Sequence, residues 1–339
     1  MSLPITLLLY ALSGAALVFF SIKCADYVDL LDKKTNMSGA FIGGVILAAV
    51  TSLPELVTSI SSIYVVQNPE LIMGNVLGSN IFNLCIFGAT TALSVKAFAK
   101  CKIGKAHLAT LVCTIVADAL MLATLLLNPA RTRIPYLEVN AASLIILVIY
   151  FISLKFLSND DCENDEEDTC NLTVKQIVIR FILMALGLVA MSIVVTYFTD
   201  IIAAELNLGA SLAGAIFLGV VTSLPELTSS VALVRKRNFN AMVGNVIGSN
   251  MFNFTIFSIA DFIAGKIVIY EPLEKTSPIC MICFGVFSTV LVALSMLFQN
   301  HFKKAGNKKW GKFILFAVLG VLVCASYLTS MILPAYLNK

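Results

Sequence analysis

The chain has 339 residues, of which 59% are hydrophobic and 13% are charged, and its mean hydropathy is +0.93. Soluble proteins carry about a quarter charged residues, so this composition excludes soluble domains and predicts a protein that resides in a lipid bilayer. The formal net charge of +3 does not indicate a nucleic-acid partner. In a membrane protein, the position of the positive residues is what matters.

Apolar runs separated by polar breaks predict ten membrane-spanning helices. A hydrocarbon core about 30 Å thick needs roughly 20 apolar residues for each helical span. In chain order, the predicted spans are 3–22, 37–65, 71–94, 107–127, 135–157, 176–199, 208–233, 242–264, 276–298 and 312–333. Little of the chain remains for a domain outside the membrane.

Lysine and arginine are distributed unevenly between the two sets of connections. With Arg180 left aside, the connections after spans 1, 3, 5, 7 and 9, together with Lys155 and Lys312 at the adjoining span ends, hold 17 of these residues and the other side holds five. The positive-inside rule then predicts that both termini lie outside and that the acidic loop 158–175 is cytoplasmic. We expect a multi-pass protein of the cell membrane.

Two sequence segments occur twice. VTSLPEL at residues 50–56 recurs at residues 221–227, and GNVLGSNIFN at residues 74–83 recurs as GNVIGSNMFN at residues 244–253. The period covers five predicted helices, so the second copy enters the membrane in the opposite orientation. The chain is therefore predicted to form two inverted five-helix repeats, 1–157 and 176–339, joined by the acidic linker 158–175.

The prolines of the first motif predict broken helices. Pro54 has no amide hydrogen and crowds the carbonyl one turn earlier, so the helix is expected to break or kink near Val50 and Thr51, and Pro225 acts likewise in the second copy. Backbone carbonyls freed inside a membrane require a partner, and a hard cation can supply one.

Side chains that carry oxygen surround both breaks. Helical spacing places Glu55 on one face with Thr51 and Ser52, and Glu226 with Thr222 and Ser223. The second motif adds two pairs of oxygen-bearing residues at i, i+4 spacing, Ser79 with Asn83 and Ser249 with Asn253. Its glycines have the same spacing and predict close helix packing: Gly74 and Gly78, and Gly244 and Gly248. A ligand set of oxygens without imidazole or thiolate favours Na⁺ and Ca²⁺.

Glu55 and Glu226 are the central candidates for an ion pathway. A charged side chain at the middle of a bilayer costs roughly 2.5–3.5 kcal/mol or more, so two glutamates at equivalent repeat positions indicate a function. Two carboxylates balance one Ca²⁺, and several Na⁺ ions can balance the same charge. Mutually exclusive binding of the two ions provides a physical basis for exchange.

These motifs resemble those of the sodium/calcium exchangers of the calcium/cation antiporter superfamily, whose alpha-repeats carry a G-T-S-L-P-E core and a G-N-x-x-G-S-N segment. The resemblance covers both repeats, with the two motif regions at 43–83 and 214–253. It implies an electrogenic Na⁺/Ca²⁺ antiporter that works by alternating access. We expect no cofactor, no obligate protein partner and no enzymatic activity, since the sequence has no H-E-x-x-H motif.

The resemblance also implies which residues hold each ion. Ca²⁺ would be held by Glu55 and Glu226 together with the carbonyls of Thr51 and Thr222. The Na⁺ ligands would include these glutamates, Gly219, Thr222, Ser223 and Ser79 at an external position, and Ala48, Thr51, Ser52 and Ser249 at a cytoplasmic one. Asn83 and Asn253 would be central polar ligands.

The sequence also departs from the family pattern. Val50 and Val221 stand where the family usually has glycine, which affects the expected affinity and ion preference. Asn253 stands where potassium-dependent relatives have an acid, so we expect exchange that does not require K⁺. The alternative is a Ca²⁺ (cation)/H⁺ antiporter that uses the same glutamates, because protons compete for buried carboxylates.

Overall fold

The computed structural model describes residues 3–35, 39–64, 70–127, 132–134, 136–158, 172–205, 222–265, 267–271, 275–304 and 311–337. Gly219, Val221 and most of the predicted acidic linker lie outside these residues, as does the first part of the predicted span 208–233.

The described chain is almost entirely helical. Its helices are α1 Leu3–Lys34, α2 Gly39–Phe41, a π-helix Ile42–Leu47, α3 Ala48–Thr51, α4 Leu53–Tyr64, α5 Glu70–Leu93, α6 Val95–Phe98, α7 Ala106–Leu126, α8 Ala141–Ser158, α9 Val174–Glu205, α10 Leu224–Arg235, α11 Phe239–Ala264, α12 Thr276–Lys304 and α13 Gly311–Leu337. A short antiparallel hairpin precedes α8, formed by β1 Arg133–Ile134 and β2 Val139–Asn140.

Eight of the described helical segments are long and apolar enough to cross a membrane. They are Leu3–Leu31, Ile42–Tyr64, Ile72–Leu93, Ala106–Leu126, Val174–Val195, Phe239–Ala264, Thr276–Gln299 and Phe313–Pro334. A further apolar helix, Ala141–Leu157, is shorter because the hairpin occupies the start of the predicted span 135–157. The prediction of a helical multi-pass membrane protein is therefore confirmed, whereas this count of eight does not reach the predicted ten.

Helix α11 lies at the centre of the protein. It packs against α5, α7, α8, α10 and the π-helix, and nearly all of its side chains are buried. A helix that is buried on every side has no face for lipid, so its polar residues must find partners or ligands inside the protein. This position brings the GNVIGSNMFN segment into the interior.

Two glycines of α11 permit the close approach of the π-helix. A Cβ on Gly248 would overlap the backbone of Gly44, and one on Gly244 would lie 2.9 Å from the Ala40 carbonyl oxygen. The predicted close packing is thus confirmed for these two glycines. At Gly74 and Gly78 a Cβ would meet no backbone atom of the described chain within 4 Å, and residues 214–215, the repeat counterparts of Gly43 and Gly44, lie outside it.

Polar contacts fasten α1 to the second half of the chain. The Ser21 hydroxyl donates to the Pro225 carbonyl oxygen at 2.7 Å. Two turns further along, the buried Asp29 carboxylate lies 3.5 Å from the Lys236 ammonium nitrogen and accepts from the Asn238 amide at 3.2 Å. These contacts link α1 directly to α10 and to the connection that follows it.

We expect Gly248→Ala to lower the thermal midpoint of unfolding of the purified protein. The added methyl group would press on the Gly44 backbone, and overpacking of this kind costs about 1–3 kcal/mol. Gly14→Ala is the matched control, because a Cβ there meets no atom within 4 Å and alanine favours a helix. A thermal midpoint that is equally unchanged in both variants would contradict the packing described here.

Candidate functional site

Both TSLPEL motifs produce the same backbone feature, a kink at the serine. Ser52 separates α3 from α4 with φ −88° and ψ 7°, and Ser223 precedes α10 with φ −92° and ψ 6°. Helical bonds continue on either side, from the Ser52 amide to the Ala48 carbonyl at 3.1 Å and from the Leu56 amide to the Ser52 carbonyl at 3.3 Å. The chain is therefore kinked one residue after the predicted Thr51 and is not extensively unwound.

The prolines explain why a new helix starts at each kink. Pro54 and Pro225 lie in the first turn of α4 and α10, where a missing amide hydrogen has no cost. Glu55 and Glu226 follow in the same turn, where the free amides and the helix dipole favour negative charge. The motif thus places each carboxylate at the start of a buried helix.

The two glutamates are buried between the halves of the chain. Glu55 is 1% exposed and Glu226 is 0% exposed, and the two carboxylates repel each other. In each, the Oε2 atom has no hydrogen-bond partner within the described residues. The pair therefore presents two acceptor oxygens that a cation can use.

Serine hydroxyls connect the two halves in a crossed arrangement. The Ser52 hydroxyl donates to Glu226 Oε1 at 3.0 Å, and the Ser223 hydroxyl donates to Glu55 Oε1 at 3.2 Å. Ser79 also donates to Glu55 Oε1, at 3.4 Å. Helical spacing puts each serine on a face with the glutamate of its own motif, but the hydrogen bonds run to the glutamate of the other motif.

The motif threonines follow the same crossed pattern. The Thr222 hydroxyl lies near the Glu55 carboxylate and the Thr51 hydroxyl lies near the Glu226 carboxylate. Thr51 also donates to the Leu47 carbonyl oxygen at 3.1 Å and to the Ala48 carbonyl oxygen at 3.3 Å. The Ala48 carbonyl predicted as a Na⁺ ligand is therefore buried beside Thr51, whereas Gly219 lies outside the described residues.

The predicted central residues lie between α5 and α11. Asn83 is 1% exposed, and neither of its amide atoms has a hydrogen-bond partner in the described chain. The Asn253 amide donates to Asn80 Oδ1 at 2.9 Å, while its own Oδ1 and the Ser249 hydroxyl are buried without a partner there. Unsatisfied polar atoms are costly in a membrane interior, so these atoms are candidates for contacts with water or ions.

Two asparagines that the sequence interpretation did not single out support the kinked helices. The Asn75 amide donates to the Glu55 carbonyl oxygen at 3.2 Å. The Asn245 amide donates to the hydroxyls of Ser229 and Ser230, both at 3.1 Å. Both asparagines are the second residue of the repeated GNV(L/I)GSN segment, so their presence in both copies was the available signal.

The arrangement suits a hard cation. Among the described residues, no group of three or more histidine, cysteine or acidic side chains is placed to hold a metal ion. Two carboxylates are instead surrounded by hydroxyl, amide and carbonyl oxygens, which are the ligands of Na⁺ and Ca²⁺ rather than of zinc or copper.

Comparison with known proteins identifies relatives along the whole chain. A sequence model of the family described as "Sodium/calcium exchanger protein" matches residues 5–158 and 176–333. The uncharacterized membrane protein MJ0091 of Methanocaldococcus jannaschii is 27% identical over 327 residues, covering 94% of this chain and 96% of that protein. The putative antiporter CaxA of Alkalimonas amylolytica is 26% identical over 318 residues, covering 92% of this chain and 96% of that protein.

The fold is similar to that of a solved exchanger. The structure of the sodium-calcium exchanger NCX_Mj soaked with 100 mM Na⁺ and 10 mM Sr²⁺ matches with a TM-score of 0.66. The match covers 96% of this chain and 99% of that chain at 21% sequence identity. This likeness shows a shared fold.

Proposed function

Because the chain belongs to the sodium/calcium exchanger family, which is a family of transporters, we propose that it exchanges Na⁺ for Ca²⁺ across the cell membrane. One observation carries this proposal: Glu55 and Glu226 are buried side by side, and each retains a carboxylate oxygen without a partner in the described chain. The exchanged ions, and no other cofactor, occupy this site.

The charge of the site accounts for coupling between the ions. Two carboxylates in a medium of low dielectric constant require about two positive charges nearby. One Ca²⁺ provides them when it binds Glu55, Glu226 and the carbonyls of Thr51 and Thr222. Na⁺ ions at the external and cytoplasmic positions share the same carboxylates, so the two kinds of ion exclude each other. Exchange of more than two Na⁺ for each Ca²⁺ makes the cycle electrogenic.

The proposed architecture is ten helices in two inverted repeats. The eight long apolar segments, the shorter α8 and the kinked α10 are consistent with ten helices, and the family match falls in two parts on either side of the acidic linker. The crossed hydrogen bonds of Ser52 and Ser223 are the relation expected between two equivalent halves. Inverted halves allow the site to open to each side in turn.

The unpartnered carboxylate oxygens also favour a second candidate function, Ca²⁺ (cation)/H⁺ exchange at the same glutamates. A proton neutralises a buried carboxylate as a Na⁺ ion does. The coupling ion therefore decides between the two functions.

Radioactive Ca²⁺ uptake into proteoliposomes distinguishes these functions. We expect an outward Na⁺ gradient to drive uptake without any K⁺, and an inside-positive membrane potential to accelerate it because net positive charge leaves. A pH gradient that drives uptake without Na⁺ would establish the proton-coupled alternative. A strict requirement for K⁺ would contradict the interpretation of Asn83 and Asn253.

Glu55→Gln and Glu226→Gln should each reduce Ca²⁺ flux by about a hundredfold or more, because losing a charged ligand costs about 3 kcal/mol. Both variants should remain folded and monodisperse. Asp118→Asn is the matched control, since it neutralises another buried carboxylate, on α7, outside both motifs. Near-normal Ca²⁺ flux in either glutamine variant would contradict the assignment of that glutamate to the Ca²⁺ site.

The proposed orientation, with both termini outside, is tested at Cys162 and Cys170 of the predicted cytoplasmic linker, which lie outside the described residues. Their thiols should resist an impermeant reagent in intact cells and react after permeabilisation. Variants with serine at one or both positions identify the labelled residue. Labelling of these cysteines in intact cells would show that the linker lies outside and would contradict the proposed orientation.

A further inference from the structure

Thr58 on α4 is a buried threonine whose hydroxyl forms no hydrogen bond with the described residues. The residue is 3% exposed, and its Oγ1 atom has no hydrogen-bond partner within the described chain. Other buried helical threonines donate to the carbonyl one turn earlier, and examples at 2.7–3.2 Å are Thr90, Thr114, Thr124 and Thr255. The corresponding acceptor for Thr58 is the Pro54 carbonyl oxygen, and Thr58 does not form this hydrogen bond.

A second unpaired oxygen lies against the same turn of α4. The Asn75 amide nitrogen donates to the Glu55 carbonyl oxygen at 3.2 Å and to the Ser59 hydroxyl at 3.4 Å. These two bonds hold the Asn75 side chain beside the turn that contains Thr58. The Asn75 Oδ1 atom is buried and has no partner among the described residues.

The equivalent atoms of the second repeat each have a partner. Ser229 occupies the position of Thr58 and donates to the Pro225 carbonyl oxygen at 2.6 Å. Asn245 occupies the position of Asn75, and its Oδ1 lies 3.4 Å from the Thr51 hydroxyl, which shares its single proton with the Leu47 and Ala48 carbonyl oxygens. Among the described residues, the unpaired oxygens at these two repeat positions are therefore found in the first half only.

We propose that Thr58 Oγ1 and Asn75 Oδ1 are ligands of a further Na⁺ position, one helical turn beyond Glu55 on α4. The proposal rests on the proposed function. It adds one Na⁺ position to the external and cytoplasmic positions at the TSLPEL motifs. Hydroxyl and amide oxygens are neutral, and Ca²⁺ sites are built around carboxylates, so these two oxygens suit a monovalent ion. A bound ion also removes the cost of two buried oxygens that lack a donor.

The place of this position in the transport cycle follows from the proposed orientation. With both termini outside, α4 runs from Glu55 towards the external surface, so Na⁺ arriving from outside meets Thr58 and Asn75 before the glutamates. Partial dehydration there would precede competition with Ca²⁺ at the carboxylates.

Thr58→Val tests the proposal, because it removes the oxygen and keeps the shape of the side chain. We measure Na⁺-dependent thermal stabilisation of the purified full chain without Ca²⁺, and the Na⁺ dependence of Ca²⁺ flux. The Na⁺ concentration for half-maximal stabilisation and the one for half-maximal flux should each rise by about tenfold. This corresponds to about 1.4 kcal/mol for one lost ligand. The half-maximal Ca²⁺ concentration for flux should not change.

Three further variants complete the experiment. Thr58→Ser keeps the oxygen and should retain the wild-type Na⁺ dependence. Thr58→Ala removes the oxygen with less crowding, so it replaces the valine variant if that one does not fold. Thr228→Val is the matched control, because its hydroxyl donates to the Leu224 carbonyl oxygen at 2.7 Å and the equivalent first-half residue is already Val57.

Wild-type Na⁺ dependence in the valine or alanine variant would overturn the proposal and would mean that the two oxygens hold at most water. An equal change in Thr228→Val would overturn it as well, as would the absence of any stabilisation of the wild-type protein by Na⁺. If Thr58→Val weakens Na⁺ stabilisation but the wild-type protein shows no Na⁺-driven Ca²⁺ flux, the Na⁺ position stands and the proposed exchange fails.

Discussion

Two carboxylates buried between the halves of the chain dominate the energetics of this protein. Glu55 and Glu226 repel each other where little water is available to screen their charge. The fold compensates in part by starting a helix at each glutamate and by directing hydroxyls at one oxygen of each carboxylate. In the proposed exchange, a cation or a proton neutralises the remaining charge, and this connects the kinked helices to transport.

The crossed hydrogen bonds make the site a joint property of both halves. Ser52 reaches the glutamate of the second half, and Ser223 reaches that of the first. Neither half alone therefore supplies all of the oxygens of the proposed site. In the proposed exchange, movement of one half against the other changes these contacts, which would link ion occupancy to the arrangement of the halves.

Close packing at the centre places these groups within reach of each other. Gly244 and Gly248 let the π-helix approach α11, and α11 in turn brings Asn245, Ser249 and Asn253 towards the kinks. The halves are not identical at this level. Within the described residues, the oxygens of Thr58 and Asn75 in the first half have no partner, whereas Ser229 and Asn245 in the second half each have one within 3.4 Å. Repeated sequence motifs thus support a site with two chemically different sides.

The sequence alone determined the membrane class, the repeated motifs, the exchanger resemblance and the pair of glutamates. These features follow from local quantities: the length of apolar runs, the proline that ends a helix, and helical spacing within one segment. The tertiary structure decided which groups meet. Ser52 contacts Glu226 because α10 and α3 lie together, and local spacing carries no information on contacts between residues 174 positions apart. The same limit applies to Asn75 and Thr58, since an unpaired oxygen is recognised only when all of its three-dimensional neighbours are known.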